Sequence, residues 1–467
     1  MPELSQRRRR LVLAICCASI VIVVMDISIV NVALPAMRRD LPASVPGLQW
    51  TVDAYTLVLA SFLVLAGSTA DRVGRRRIFQ AGLAGFGLGS LLCGLAPGIG
   101  WLIAARVLQA GGGTMLNPVA LSIVASTFPG RAERARAIGV FGSMSGLALG
   151  LGPIIGGFLV DSLGWRFIFW VNVPIGVALI ALAVVRLRES IGPQARLDIT
   201  GLVLVAAAAL ALVWGLIRGN RMGWTSVEVI GALSAGIVFA LAFVLYERRA
   251  AAPMIPMRLF AARPFSAGVV SSLLFYAAMY GVLFLLPQFL QVTLGFGPLG
   301  AGLRLLPWTS MLFLTAPVAG AVVQRFGERQ LVVTGLLMQA AGLGWIAFEA
   351  SAGATYPMMI APLIIAGVGV SMAMPAAQNA ILSSVAITEM GKASGIFNMG
   401  RFLGGMFGIA LMVAVFSAHG AADTPTHFAR GFVAAMTVAA MLTLLAAFAG
   451  GFLPARRMVT QLKPQQA

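Results

Sequence analysis

One carboxylate in this sequence occupies a place where charge is costly. Asp26 lies near the middle of an apolar run, residues 11–34, that is long enough to cross a bilayer. A charged side chain at the bilayer centre costs roughly 2.5–3.5 kcal/mol on insertion scales, so a carboxylate retained there indicates a function. Because a carboxylate binds and releases protons, the chemistry that Asp26 indicates is proton transfer.

Three other charged residues also fall in apolar runs. Arg106 keeps its charge at any working pH and therefore needs a partner inside the membrane. Asp53 lies a few residues into the next run, and two interpretations stay open: a second proton site or cation-attracting residue, or an interfacial carboxylate that reaches water. Arg401 is either a counter-charge or a side chain that reaches the near membrane surface.

Composition identifies the class of protein that must position these charges. Of 467 residues, 59% are hydrophobic and only 10% are charged, and the mean hydropathy is +0.94. These values exclude a soluble domain and indicate an all-α polytopic membrane protein. The net charge of +18 does not indicate nucleic-acid binding, because the arginines lie in short loops between apolar runs, where they are topology signals.

The apolar runs predict about fourteen membrane spans, the first of them an uncleaved span rather than a signal peptide. Most Lys and Arg residues fall on one side when the amino terminus is inside, so we expect both termini to face the cytoplasm. The spans lie near residues 11–34, 49–70, 78–96, 100–125, 138–160, 167–185, 199–217, 227–246, 266–290, 301–323, 331–349, 355–382, 394–417 and 431–453.

An internal repeat divides the chain. Residues 67–76 recur in weakened form at 320–329, residues 112–118 recur at 369–375, and residues 133–141 recur at 389–397. Three matches in the same order at nearly one offset predict two homologous six-helix halves, an arrangement that secondary transporters use to enclose a central site. The predicted units are 1–190 for the first half, 191–260 for two inserted helices and a linker, and 261–467 for the second half.

The loop after the second span carries a recognisable motif. Gly67, Asp71, Arg72, Gly74 and Arg75 match the loop motif of the major facilitator superfamily, which the chain resembles over nearly its whole length. The glycines permit close approach and a tight turn, and Asp71 is expected to pair with a neighbouring arginine or a helix end when the cytoplasmic side is closed. These residues are therefore expected to act as a conformational gate.

Two further motifs resemble one branch of that superfamily, the fourteen-helix drug:proton antiporters. Residues 102–111 resemble the fourth-helix motif, and in the family arrangement the first and fourth helices are neighbours, so Asp26 is the expected partner of Arg106. The fifth-helix signature of the antiporters is expected to form a close, deformable seam between the halves. It is present at Gly146, Gly150, Gly152, Pro153, Gly156 and Gly157.

The first and eleventh helices also resemble this branch, at residues 25–35 and 397–405. Asn31 is rotated about 140° from Asp26 on a helix, so it is expected to brace helix packing beside a cavity. A cavity for flat, apolar, often cationic compounds would draw on aromatic and methionine side chains and a few polar ones. The candidate cavity residues are Asn31, Tyr55, Met115, Asn398 and Arg401.

The resemblance implies proton-coupled efflux of hydrophobic, often cationic, drug-like compounds across the bacterial inner membrane by alternating access. A dedicated exporter of one metabolite or antibiotic shares every motif and stays open, whereas a non-transporting membrane sensor is disfavoured by the intact Asp26, Arg106 and Asp71. No catalytic pair, metal cluster or nucleotide-binding loop is present in the sequence, so we expect no enzyme activity, no metal, no cofactor and energy from a proton gradient. The involvement of a periplasmic adaptor is left open.

Overall fold

The structure is a computed structural model that describes residues 6–128, 131–191, 198–250, 253, 255–314, 327–353, 355–385 and 389–454. The described residues form helices joined by short turns. This is the expected result for apolar runs in lipid, because a helix satisfies its backbone hydrogen bonds within one segment.

Seven helices make up the first part of the chain. The first helix packs against the fifth, the second and third pack against the fourth, and the seventh packs against the third. Their bounds are α1 Gln6–Asp40, α2 Val45–Val73, α3 Arg75–Gly94, α4 Ile99–Thr127, α5 Arg131–Ser162, α6 Phe167–Trp170 and α7 Asn172–Arg186.

A helical hairpin and a second set of helices follow. The hairpin consists of α8, Ile199–Met222, and α9, Val227–Arg249, which pack on each other. A short 3-10 turn at Met257–Ala261 leads into the second set. This set comprises α10 Arg263–Val292, α11 Pro298–Arg304, α12 Leu306–Thr309, α13 Met311–Leu314, α14 Glu328–Ser351, α15 Tyr356–Ser383, α16 Met390–His419 and α17 Pro425–Gly450.

Helix pairings in the two sets correspond. The packing of α1 on α5 recurs as α10 on α16, and the packing of α3 on α4 recurs as α14 on α15. This correspondence follows the order of the sequence repeat. The hairpin packs through α8 on α2 and α16, one helix from each set. A small apolar cluster of Ala209, Val213, Met406 and Ala410 fills the contact between α8 and α16.

The number of spans is smaller in the described residues than the sequence predicted. Eleven helices are long and apolar enough to cross a membrane, or twelve if the bent pair Val45–Leu63 and Leu65–Val73 is one span. The predicted span at 301–323 begins as α11 to α13, and its remaining residues, 315–323, lie outside the description. Residues 320–326 of the second copy of the loop motif at 320–329 lie outside it as well. An all-helical membrane fold is confirmed, whereas the count of fourteen is not.

The two sets of helices touch at the face where α1, α5 and α10 end, called here the far face. The Gln291 side chain of α10 donates to the Val32 carbonyl of α1 at 2.9 Å. Arg38 donates to the carbonyl of Ala422 at 2.8 Å, in the turn between α16 and α17. These hydrogen bonds join the two sets, so the described structure is closed at the far face.

Candidate functional site

Asp26 of α1 and Arg106 of α4 form an ion pair inside the first set of helices. Both residues are 1% exposed. The Arg106 Nη1 donates to Asp26 Oδ2, and its Nε donates to the backbone carbonyl of Thr51 in α2 at 3.0 Å. A buried ion pair offsets its desolvation cost only when further hydrogen bonds satisfy the remaining donors and acceptors. The surroundings of the pair supply those bonds.

Three side chains missed by the sequence analysis complete the network. Gln109 Nε2 donates to Asp26 Oδ1 at 2.9 Å, and Asn172 Nδ2 lies 3.5 Å from the same oxygen. Ser90 Oγ accepts from Gln109 at 2.6 Å and from Asn172 at 3.3 Å. Every recorded partner of the Asp26 carboxylate is a donor, so this arrangement matches the ionised form. One signal was available, since Gln109 is three residues after Arg106 and shares its helix face.

Tyr55 of α2 packs against the arginine of this network. Its ring centroid lies 4.0 Å from the Arg106 Cζ, and the ring of Phe169 lies 5.7 Å from the same atom. Tyr55 is fully buried, so this predicted cavity residue contacts the ion pair directly. Aromatic faces attract a guanidinium electrostatically, and the attraction is stronger in a desolvated site.

Asp53 lies apart from the ion pair and is fully buried. Gln49 Nε2 donates to its Oδ2 at 2.8 Å, while its Oδ1 has no hydrogen-bond partner in the part of the chain that is described. The interpretation of Asp53 as a carboxylate that reaches water is therefore wrong. Trp50, one turn away, contacts Trp214 of α8 with ring centroids 6.0 Å apart, so the inserted hairpin covers this part of α2.

The loop motif builds a turn that only glycine fits well. Gly74 joins α2 to α3 with a φ of 121°, and a Cβ added there would lie 2.6 Å from a carboxylate oxygen of Glu189. Glu189, which the sequence analysis did not single out, accepts a hydrogen bond from the Arg76 backbone N–H at 3.0 Å. The loop is thus fastened to the segment that follows α7.

The other gate residues are placed on both sides of this turn. Asp71 accepts from Arg75 Nε at 2.9 Å, and the role of this pair as a gate stays a prediction. A Cβ added to Gly67 would lie 3.5 Å from Pro118, so α2 and α4 approach closely at this level. Arg72 is exposed at the end of α2.

The glycine signature of α5 faces two different helices. Cβ atoms added to Gly152 and Gly156 would lie 1.9 Å from Ser28 Oγ and 2.5 Å from Ile29, both in α1. A Cβ added to Gly157 would instead lie 2.6–2.9 Å from backbone atoms of Pro298 and Leu299 in α11. The remaining members, Gly146, Gly150 and Pro153, belong to the same helix.

The contact between α5 and α11 is close on both sides. A Cβ added to Gly302 of α11 would lie 2.3 Å from the Pro153 carbonyl. One turn beyond Gly157, Asp161 Oδ2 accepts from the Leu299 backbone N–H at 2.8 Å. Small residues let membrane helices pack backbone to backbone. The signature therefore holds α5 against α1 within one set and against α11 of the other.

The other predicted cavity residues are dispersed. Asn31 and Asn398 donate to carbonyls of their own helices, at Ile27 and Ser394, with distances of 3.1 and 2.9 Å. Met115 lies elsewhere than predicted: a Cβ added to Gly82 would be 2.9 Å from the Met115 Cβ, which places it between α3 and α4. Arg401 is buried in α16 among aromatic residues of the second set.

An apolar cavity lies between the two sets of helices. It borders α5 of the first set and α10, α12 and α15 of the second. In this closed state the cavity holds no more than about one water molecule. Small-molecule sites are typically ~300–1,000 Å³, so the two sets of helices must separate here before a substrate enters. Its lining residues are Leu149, Met279, Leu283, Trp308, Thr309 and Val370.

The corresponding sets of apolar helices, with a small cavity between them, define a multi-pass membrane protein with the architecture of a secondary transporter, and the family match that follows makes the chain a transporter and not an enzyme. The sequence profile described as Major Facilitator Superfamily matches residues 16–313 and 268–466, and the chain belongs to this superfamily. The apolar spans confirm the predicted membrane location in its coarser form, a multi-pass membrane protein.

Named relatives of the chain are resistance and export proteins. It is 35% identical over 407 residues to the multidrug resistance protein Stp of Mycobacterium tuberculosis, covering 87% of this chain and 75% of that protein. It is 36% identical over 398 residues to the tetracenomycin C resistance and export protein of Streptomyces glaucescens, covering 84% and 73%.

Solved structures share the fold. A POT family transporter in complex with a thioalcohol-conjugated peptide superposes with a TM-score of 0.71 at 15% identity, covering 93% of this chain and 94% of that one. At this identity the likeness supports the fold alone.

Proposed function

We propose that this chain is a proton-coupled exporter, a drug:proton antiporter of the fourteen-helix branch. It would move hydrophobic drug-like compounds out across the bacterial inner membrane, with both termini in the cytoplasm and the far face outside. The observation that carries the proposal is the buried contact of Asp26 with Arg106. A permanently charged arginine and a titratable carboxylate, both enclosed, give a site whose net charge changes by one when a proton binds.

In this mechanism the ionised Asp26 is held by Arg106, Gln109 and Asn172. A proton arriving from outside neutralises the carboxylate and weakens these charge-assisted hydrogen bonds, which are the strongest contacts of the site. Loss of the ion pair lets α1 shift against α5. With that shift, the far face changes between its closed state and an open state. Substrate and proton favour opposite states, so proton entry drives export without a cofactor.

The breadth of the substrate range is a second question. Stp is named as a multidrug resistance protein, which favours a broad range. The tetracenomycin C protein is named for a single compound, which favours a dedicated exporter. The largely apolar lining of the cavity favours the broad range, because apolar surfaces select shape and size only weakly.

The test is dye uptake into proteoliposomes with an imposed pH gradient, using wild type, Asp26→Asn and a matched control. We expect Asp26→Asn to abolish gradient-driven dye movement while dye exchange without a gradient persists. The control is Asp423→Asn, because Asp423 is an exposed carboxylate in the turn between α16 and α17. Undiminished gradient-driven transport in Asp26→Asn would refute the assignment.

Asp53→Asn in the same vesicles separates the two remaining roles of Asp53. A second proton site predicts weaker gradient-driven transport with unchanged dye affinity. A cation-attracting role predicts lower affinity for cationic dyes and unchanged coupling. Both roles require a buried carboxylate with an unpaired oxygen, as Asp53 has.

A further inference from the structure

A second buried arginine has no carboxylate beside it in the described part of the chain. Arg401 lies near the middle of α16 and is 8% exposed. Among the described residues, no Asp or Glu oxygen lies within 4.0 Å of its guanidinium, and the charged or polar groups that act on it are two tyrosines. A buried cation without a counter-charge is costly, so such a site usually pairs with an anion.

The two tyrosines come from α10. Arg401 Nε donates to the Tyr280 hydroxyl at 3.3 Å, and its Cζ lies 5.3 Å from the ring centroid of Tyr276. The Tyr276 hydroxyl is buried and has no hydrogen-bond partner in the described part of the chain. Tyr276 is 1% exposed, so water from bulk solvent does not reach the side chain in this state.

Within the described residues, the recorded hydrogen bonds leave most donors of this cluster without a protein partner. A guanidinium has five N–H donors in a planar fork, and the hydrogen bond to Tyr280 uses one of them. Aromatic faces compensate a cation only in part, by about 0.5–2 kcal/mol. The fork matches the two oxygens of a carboxylate, and the unpaired phenol hydroxyl of Tyr276 is a further donor to such a group.

The cluster adjoins the apolar cavity along α10. At 100° per residue, Tyr276, Tyr280 and Leu283 fall within about 60° of one another on the helix, and Met279 is about 60° from Tyr276. Leu283 and Met279 line the cavity between α5, α10, α12 and α15. One helix face therefore presents apolar side chains to the cavity and phenol groups to the arginine.

We propose that Arg401, Tyr276 and Tyr280 form a subsite for the carboxylate of an amphipathic organic acid, whose apolar part packs on the side chains around the neighbouring cavity when the two sets of helices separate there. The inference deepens the proposed export function by naming a substrate class. It also departs from the cationic substrates that the resemblance implied, because the charge at this subsite is positive. The oxyanion supplies the counter-charge that is missing among the described residues at this position.

The test is equilibrium binding of matched probes to the full chain in lipid nanodiscs at neutral pH with no gradient. 2-Naphthoate carries the carboxylate, and 2-naphthamide has nearly the same size without the charge. We expect wild type to bind the acid about tenfold or more tightly than the amide, the magnitude expected for hydrogen bonds to a charged group. We expect Arg401→Gln to weaken acid binding far more than amide binding, so that the two affinities become about equal.

A milder variant keeps the test valid if Arg401→Gln does not fold. Tyr276→Phe retains the ring and removes only the hydroxyl, and we expect the preference for the acid over the amide to fall several-fold. Equal wild-type affinities for acid and amide, or no saturable acid binding, overturn the proposal. So does an acid preference that survives in Arg401→Gln.

The proton-coupling assignment is tested separately by including Asp26→Asn in the same binding experiment. The assay applies no proton gradient, so the acid preference is expected to persist in this variant. Loss of transport coupling with the acid preference intact therefore supports the subsite on its own. Loss of the preference in Asp26→Asn contradicts a subsite built on Arg401.

Discussion

Gly157→Ala tests whether the glycine signature controls closure of the far face. The added Cβ would lie 2.6–2.9 Å from the Pro298 carbonyl and from backbone atoms of Leu299, which belong to the other set of helices. Backbone atoms cannot rotate away, so the clash acts on the closed state and is relieved when α5 and α11 separate. An overpacked contact costs about 1–3 kcal/mol. The ratio of closed to open protein should then fall by about 5- to 150-fold.

The assay is a distance measurement between spin labels at the far face. The spin labels are attached at two exposed positions, Ser162→Cys in the first set of helices and Ala421→Cys in the second. The three native cysteines are replaced first, so that only these two positions are labelled. We expect the short-distance population of wild type to give way to longer distances in Gly157→Ala.

The matched control for this measurement is Gly142→Ala in the same helix, where an added Cβ would meet nothing within 4 Å. Both substitutions raise helix propensity by a similar amount, so only the steric effect differs. An unchanged distance distribution in Gly157→Ala, or the same change in both variants, would refute the reasoning.

Two further substitutions test the local arrangements. Gly74→Ala forces an L-residue to a φ of 121° and places its Cβ against Glu189, which should lower the free energy of unfolding by about 1–3 kcal/mol. The control is Gly87→Ala, whose added Cβ meets open space. The melting temperature of Gly74→Ala should be lower than that of the control. Gln109→Leu removes a donor to Asp26 and should reduce gradient-driven transport by about tenfold or more. Asn398→Leu is its control, because in the described part of the chain that amide donates to a carbonyl of its own helix; equal losses in both variants would contradict the role of Gln109.

The contact between Asp26 and Arg106 was within reach of the sequence. Each is a charge in an apolar run, and a fixed cation in lipid requires a partner. The amide donors were harder to predict, because Gln109 and Asn172 are ordinary residues in isolation and gain meaning only when α1, α3, α4 and α7 are placed around one carboxylate. Helix periodicity gives the face of a residue but not the neighbour that it meets.

The environment of Asp53 is a second feature that the sequence pattern could not predict. Its position near the end of a span allowed an interfacial location, and hydropathy alone gives no reason to reject it. The inserted hairpin excludes the interfacial location, because α8 packs on α2 and its Trp214 covers Trp50. In lipid no hydrophobic force selects one apolar neighbour over another, so the docking position of the hairpin depends on detailed packing that a sequence pattern does not encode.

The glycine signature connects the charged site to the far face through short distances. Asp26 lies between Met25 and the Ser28–Ile29 pair, and these α1 residues are the ones that Gly152 and Gly156 approach. The next glycine, Gly157, meets α11 of the other set. Packed interfaces of this kind change between discrete arrangements rather than deforming continuously. In the proposed mechanism, a small shift of α1 at Asp26 would therefore reach a backbone contact one helix away, so that proton binding and closure would be linked over a short distance.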